Sequence, residues 1–254
     1  MDLCKRLMTR EVTGHAAADA ILVAMTQATQ EEWNGWYRRI LIKDMRAGFQ
    51  VGTINRVVKK DFPAYTIPVF ECQLAHDSAK HESKVSGKKL VEVKLDGVRV
   101  ITIVYPNGDV TQYSRNGKEL VNFPHIKEQF AATTSHEKPM VFDGEVMSAN
   151  FQDLMQVIHK KNGSTAAKDA VLHLFDILTL EDFLNGISNV TQIDRTAELK
   201  RWFGVVSSTG KVNNIAILDQ EVIDLDTDEG QKAYSDINAK AIAGGYEGIM
   251  IKDL

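Results

Sequence analysis

Val91-Glu92-Val93-Lys94-Leu95-Asp96-Gly97-Val98-Arg99-Val100-Ile101-Thr102-Ile103 opens with strict alternation of apolar and charged residues, the period-2 signature of a half-buried strand. Val91, Val93 and Leu95 share one face, and Glu92, Lys94 and Asp96 share the other. Asp96-Gly97 between β-branched runs predicts a hairpin, because a type I′ turn needs positive φ at both central residues. Taken alone, the stretch reads as a surface hairpin whose polar face is solvated. The same spacing also sets one lysine beside a tight turn between two carboxylates, where an amine can act as a nucleophile rather than a surface charge.

Downstream, from residue 90, short strands alternate with Gly and Asn turns. Strands are expected at 110–114, 140–147, 171–178, 215–218 and 248–252, and helices near 124–132, 192–203 and 229–243. Strands and helices do not alternate regularly, so an α+β domain is favoured over a doubly wound one.

Upstream, residues 1 to about 62 read as helical. The alanine-rich run 16–25 follows a Thr13-Gly14 break. A second helix is expected at 31–46, with Trp33, Trp36, Tyr37, Ile40 and Leu41 at helical spacing and Gly48 as its stop. A third, 51–60, ends before Pro63. Aromatic residues at such spacing are more often core than ligand contacts, so Trp33 and Trp36 are assigned to packing in a small bundle. The polar stretch 63–89 reads as a linker or long loop.

The 254 residues suffice for one large or two modest domains. With 25% charged and 44% apolar residues the composition is that of a soluble globular protein. No run approaches the length of a membrane span and the N-terminus lacks a signal-peptide core, so a cytoplasmic protein is expected, with no membrane partner. Cys4 and Cys72 are too few for a disulfide framework or a structural zinc site. The net charge of −4 argues weakly against nucleic acid, yet it hides a local patch. Arg38, Arg39, Lys43, Arg46, Arg56, Lys59 and Lys60 stand against the single acid Asp44, whereas acidic residues gather in 219–229. That asymmetry suggests two functional halves.

Five stretches in the second half place unusual polar content on strand-like segments: 94–99, Ser114-Arg115-Asn116-Gly117, Phe142-Asp143-Gly144-Glu145, Leu174-Phe175-Asp176 and Glu247-Gly248-Ile249-Met250-Ile251-Lys252. Each is weak alone. At about 5 to 7% per residue, however, Lys-x-Asp-Gly-x-Arg arises by chance about once in several hundred chains of this length. The ordered set resembles the motifs of the covalent nucleotidyltransferases, the superfamily of ATP-dependent DNA ligases, RNA ligases and messenger-RNA capping enzymes. The stretches 7–17 and 39–48 narrow the resemblance to the helical DNA-binding domain of the T-even bacteriophage DNA ligase.

The resemblance implies a helical DNA-binding domain over residues 1–66, partial at its N-terminus. It implies an ATP-grasp-like nucleotidyltransferase (adenylation) domain of antiparallel sheets with flanking helices over 67–254. Lys94 would attack the α-phosphate of ATP, leaving lysyl-AMP, and AMP would pass to the 5′-phosphate of a nick that the 3′-hydroxyl then seals. Arg99 would contact the nucleotide sugar, Glu145 a ribose hydroxyl, and Phe175 the adenine face. Glu92 falls where the family reads adenine, largely through the backbone, and Leu95 belongs with the nucleotide contacts. Arg115 would bind a phosphate, Glu247 would hold Mg²⁺ through oxygen, and Lys252 ends the fourth motif with no role fixed. The basic patch would grip nicked duplex DNA through its phosphates, and the protein would act as a monomer in the cytoplasm of a bacterial host. Arg99 and the lack of four cysteines favour ATP over NAD.

Family members continue past this point into a Lys-x-Lys strand and an OB-fold domain, neither of which lies before Leu254. An RNA ligase-type nucleotidyltransferase and an inert DNA- or nucleotide-binding remnant are the competing expectations.

Overall fold

The computed structural model describes residues 2–9, 11–42, 46, 48, 51–62, 70–133, 136–148 and 168–254. By contacts the chain divides into two compact units, Met1–Pro68 and Val69–Leu254.

The first unit is helical: α1 (Asp2–Met8), α2 (Gly14–Gln27), α3 (Gln30–Glu32), α4 (Arg38–Leu41) and α5 (Val51–Asp61). Thr29 and Glu32 form a reciprocal capping box that starts α3. The helix expected at 31–46 is interrupted. Trp33–Tyr37 forms a π-helical turn between α3 and α4, and Gly48 does not directly follow the described helix, which ends at Leu41. Trp36 is 61% exposed, which corrects its assignment to packing; the π turn rotates the chain out of the 3.6 period on which that assignment rested. Trp33 is half-buried. Val12 is the one buried apolar side chain among the described residues of this unit.

The second unit carries two sheets. A three-stranded sheet has the order β7-β1-β8 and a five-stranded sheet the order β3-β2-β4-β5-β6, with β1 Lys88–Lys94, β2 Val98–Val104, β3 Val110–Ser114, β4 Met140–Met147, β5 Val171–Thr179, β6 Ile215–Ile217, β7 Gln220–Asp224 and β8 Gly248–Lys252. The helices are α6 (Pro124–Ala131), α7 (Leu180–Asn185), α8 (Gln192–Ser207) and α9 (Asp228–Ala243). Pairing is antiparallel except between β5 and β6, which run parallel, an exception to the all-antiparallel expectation.

The expected hairpin does not form. β1 and β2 belong to different sheets, so Leu95-Asp96-Gly97 is a crossover rather than a turn. Gly97 is absent from the positive-φ glycines; it is needed for space, because a Cβ there would collide with the Val146 carbonyl and lie 2.7 Å from the Met147 sulfur. The expected positive-φ turn is thus corrected: the requirement for glycine here is steric and not dihedral.

Each sheet has an apolar face that explains its helices. Val91 and Ile223 bury against Ala233, Tyr234 and Ile237 of α9. Val100, Phe142, Leu172 and Leu174 bury against Ile126 and Phe130 of α6 and Leu199, Trp202 and Val206 of α8. Thr191 and Thr227 cap α8 and α9 by accepting from Asp194 and Gly230 amides. On the other face of the large sheet, Ile101, Ile103 and Val141 lie beside Tyr113 of β3 and pack against Phe70, Cys72 and Phe183. Residues 70–72 thus pack on the unit and are not a free linker, the Phe70 ring lying 5.4 Å from Tyr113 and 5.3 Å from Phe183.

Candidate active site

The polar faces of the two sheets meet where the motifs converge. In an antiparallel pair, residues directly opposite share a face. Glu92 is opposite both Gln220 and Met250, and Lys94 is opposite Gly248, so Glu92, Lys94, Gln220 and Lys252 all project from the side of the small sheet away from α9. On the large sheet Arg99 is opposite Glu145, which is opposite His173. A β-bulge at Asp143/Gly144 brings Gly144 so near β5 that a Cβ would lie 2.6 Å from the His173 carbonyl.

Lys94 ends β1, and its ammonium pairs with Glu247, both side chains being about two-fifths exposed (41% and 43%). Gly248 next to Glu247 has φ +136°, a conformation open to glycine that sets the acid beside the lysine. Glu92 is not on a solvated face: it is 4% exposed, one oxygen 2.7 Å from the Lys252 ammonium and the other accepting from Gln220. Burial of a carboxylate requires such pairing.

Arg99 forks onto Asp143, Nε to Oδ1 at 2.9 Å and Nη2 to Oδ2 at 2.6 Å, while Nη1 donates to the Gln73 carbonyl at 2.6 Å. Burial opposes the charge on Arg99, but the paired Asp143 outweighs it and holds the guanidinium above its ordinary pKa. Glu145 has no such fork. Burial pushes its carboxyl up to about 7, against the pull of Arg99, the Gly97 amide and Lys94. At neutral pH it is therefore poised between donor and acceptor. Phe175 projects from β5 with the Arg99 guanidinium carbon 5.5 Å and the Lys252 ammonium 4.8 Å from its ring centroid, both within cation–π range.

The structure therefore brings together Glu92, Lys94, Arg99, Glu145, Phe175, Glu247 and Lys252, with Leu95 half-buried in the crossover. Arg115 sits at the margin, exposed in the turn after β3, its carbonyl accepting from the Cys72 thiol at 3.7 Å. Burial pushes that thiol up, which keeps it protonated; Cys4 is likewise free. In the helical unit Arg38 lies on α4 and Arg56 and Lys60 on α5, all exposed, as is Arg46. Arg39 is half-buried, and its Nε donates to the Asn34 carbonyl at 3.2 Å. Lys43 and the Lys59 side chain lie outside the described residues. Three contributors carry no role in the sequence analysis: Asp143, quoted there only as part of a motif, and Gln73 and Gln220, which it does not name. Asp143 was signalled by its period-2 relation to Glu145 on a strand. Gln220 had no signal, being embedded in the acidic run that hid β7.

Among the described residues no cluster of three or more His, Cys, Asp or Glu could hold a metal by itself. Glu247, an accessible carboxylate, fits the sparser pattern of Mg²⁺, which takes one or two carboxylates with phosphates and waters.

A family model described as the ATP dependent DNA ligase domain matches residues 72–254. The DNA ligase of Halobacterium salinarum is 28% identical over 174 residues, 64% of this chain and 28% of that protein; that of Haloarcula marismortui is 30% identical over 176 residues, with 64% and 28% covered. The chain thus spans little more than a quarter of these relatives. A solved structure named Pmar-Lig_Pre. superposes with a TM-score of 0.89 at 51% identity over 99% of this chain and 58% of that one. The ATP-dependent DNA ligase from bacteriophage T7, solved in complex with ATP, gives 0.52 at 18% identity over 73% of this chain and 62% of that one, a likeness of fold. The fold is a mixed α/β nucleotidyltransferase fold resembling ligase adenylation domains, and the chain belongs to the ATP-dependent DNA ligase domain family.

Proposed function

We propose that the chain is the nucleotidyltransferase part of an ATP-dependent DNA ligase and that Lys94 is its nucleophile. The reading is carried by one observation. Glu92, Arg99, Phe175, Gln220 and Lys252, from separate stretches, form a connected set between the two sheets of a single unit, and Lys94, two residues beyond Glu92, pairs with Glu247 while Glu145 feels the charges of Arg99 and Lys94.

In the proposed reaction the Lys94 amine attacks the α-phosphorus of ATP, pyrophosphate leaves, and a phosphoramidate forms. The attacking form is the neutral amine, and Lys94 is paired with the Glu247 carboxylate. Mg²⁺ held by Glu247 and the nucleotide phosphates would supply positive charge favouring the neutral amine. Phe175 offers a ring for the base to stack on, worth about 1 to 3 kcal/mol. Glu145 exchanges a hydrogen bond with a ribose hydroxyl, Arg99 lies over the sugar, Lys252 joins the nucleotide contacts, and Arg115 meets a phosphate at the margin. AMP then passes to the 5′-phosphate of a nick, and the 3′-hydroxyl displaces it. Arg38, Arg56 and Lys60, with Arg39, Lys43, Arg46 and Lys59, would hold duplex phosphates in a salt-dependent manner without reading sequence.

The test is incubation with Mg²⁺ and α-labelled ATP. Acid-labile label is expected on the wild-type chain and not on Lys94→Ala. Equal label on both, or none on the wild type, overturns the assignment.

A further inference from the structure

Gln220 is an unusual occupant for its position. It opens β7 only 7% exposed, where an apolar side chain would need no partners, and burying a primary amide is costly unless its hydrogens are used. Both are used. Nε2 donates to the Glu92 carboxylate and, at 3.0 Å, to the Phe175 backbone carbonyl. Because both neighbours only accept, the amino end of the amide must face them.

The two acceptors lie on different sheets, Glu92 on β1 and Phe175 on β5. One amide thus fixes the distance between a buried carboxylate and the strand that bears an aromatic ring. The carboxylate is held from both flanks of β1: β7 supplies Gln220 to one oxygen and β8 supplies Lys252 to the other. A carboxylate has about four acceptor sites, so each oxygen keeps capacity for a further donor. An N–H donor stacked on Phe175 would complete it.

We propose that Gln220 is a positioning residue for the nucleobase, tying Glu92 to Phe175 so that carboxylate and ring engage the same 6-aminopurine. This rests on the reading of the cleft as the ATP site. An exocyclic amine donates to the anchored carboxylate, whereas the 6-oxo group of guanine would oppose it. Gln220 therefore acts on discrimination between purines and not on the attack at phosphorus.

The test measures equilibrium binding of the α,β-methylene analogues of ATP and GTP, which Lys94 cannot cleave, to the full chain with Mg²⁺. It is run alongside single-turnover labelling by ATP and thermal unfolding. Gln220→Met keeps the volume and loses the donors; it is expected to weaken the ATP analogue about tenfold, leave the GTP analogue unchanged, and alter the labelling rate at saturating ATP by less than about threefold. Gln220→Asn keeps an amide too short to reach both acceptors and is expected to fall between, which decides the matter if the Met variant does not fold. An unchanged preference between the analogues in the folded variants overturns the inference. If the wild type binds neither analogue, the cleft is not a purine site and the inference falls with it. If it binds but Lys94 takes no label, the nucleophile assignment fails while the binding comparison still decides the role of Gln220.

Discussion

Replacing Glu145 by Gln tests the electrostatics of the cleft without nucleotide. Burial raises this carboxyl from its ordinary 4.5 to about 7. The folded state therefore holds a proton that the unfolded state has released between those values, and stability falls as pH rises through that window. At 1.36 kcal/mol per tenfold change in acidity the full cost is about 3 kcal/mol. By linkage about 1 kcal/mol of it is expressed at pH 5 and about 3 kcal/mol at pH 7, with a plateau above. Gln mimics the neutral acid and removes the dependence. Urea unfolding of the second unit can be followed by the fluorescence of Trp202, which is 5% exposed, after Trp33 and Trp36 are replaced by Phe. Glu145→Gln should gain about 2 kcal/mol over wild type between pH 5 and pH 7. Parallel curves for the two proteins across that range would refute the reasoning.

Two backbone predictions and one side-chain prediction accompany it. Gly97→Ala places a methyl against the Val146 carbonyl and the Met147 sulfur; a loss of more than about 2 kcal/mol in urea unfolding is expected, and a smaller loss would mean the crossover yields. Gly248→Ala forces φ +136° on an L-residue and is expected to cost about 1 to 3 kcal/mol and to slow Lys94 labelling; an unchanged rate would count against the strand placing Glu247. Arg99→Met leaves Asp143, 7% exposed, without its fork, at a cost of about 3 to 5 kcal/mol; the variant's melting curve tests this, and a shift equivalent to less than about 1 kcal/mol would mean water reaches the carboxylate.

Most strands of the second unit are legible as short runs rich in apolar residues, several of them set off by glycine, asparagine or proline. Residues 110–114, 140–147 and 248–252 coincide with β3, β4 and β8. β7 was missed because Gln220-Glu221-Val222-Ile223-Asp224 looks polar in one dimension, though Ile223 packs under α9 and Gln220 points into the cleft. α7 was missed because six residues, 180–185, are too few for helical periodicity to stand out. The expected hairpin failed for the opposite reason. Asp96-Gly97 carries a strong local signal, but β1 pairs with β7 and β8, and β2 with β3 and β4, so both edges of each strand are taken by partners distant in sequence or downstream of the turn.

The sequence alone determined which residue types carry the chemistry and their order along the chain, since those follow from composition and spacing at short range. It placed Lys94 beside Asp96-Gly97, Glu145 two residues beyond Asp143, and Glu247 before Gly248. Only the tertiary structure decided which of these charges neutralise one another. Arg99 joins Asp143 and not the nearer Asp96, Glu92 joins Lys252 from the far end of the chain, and Lys94 joins Glu247. Ion pairs and hydrogen bonds are set by side-chain direction across strands tens to more than a hundred residues apart, and that direction is fixed by sheet order and register, which no local pattern contains.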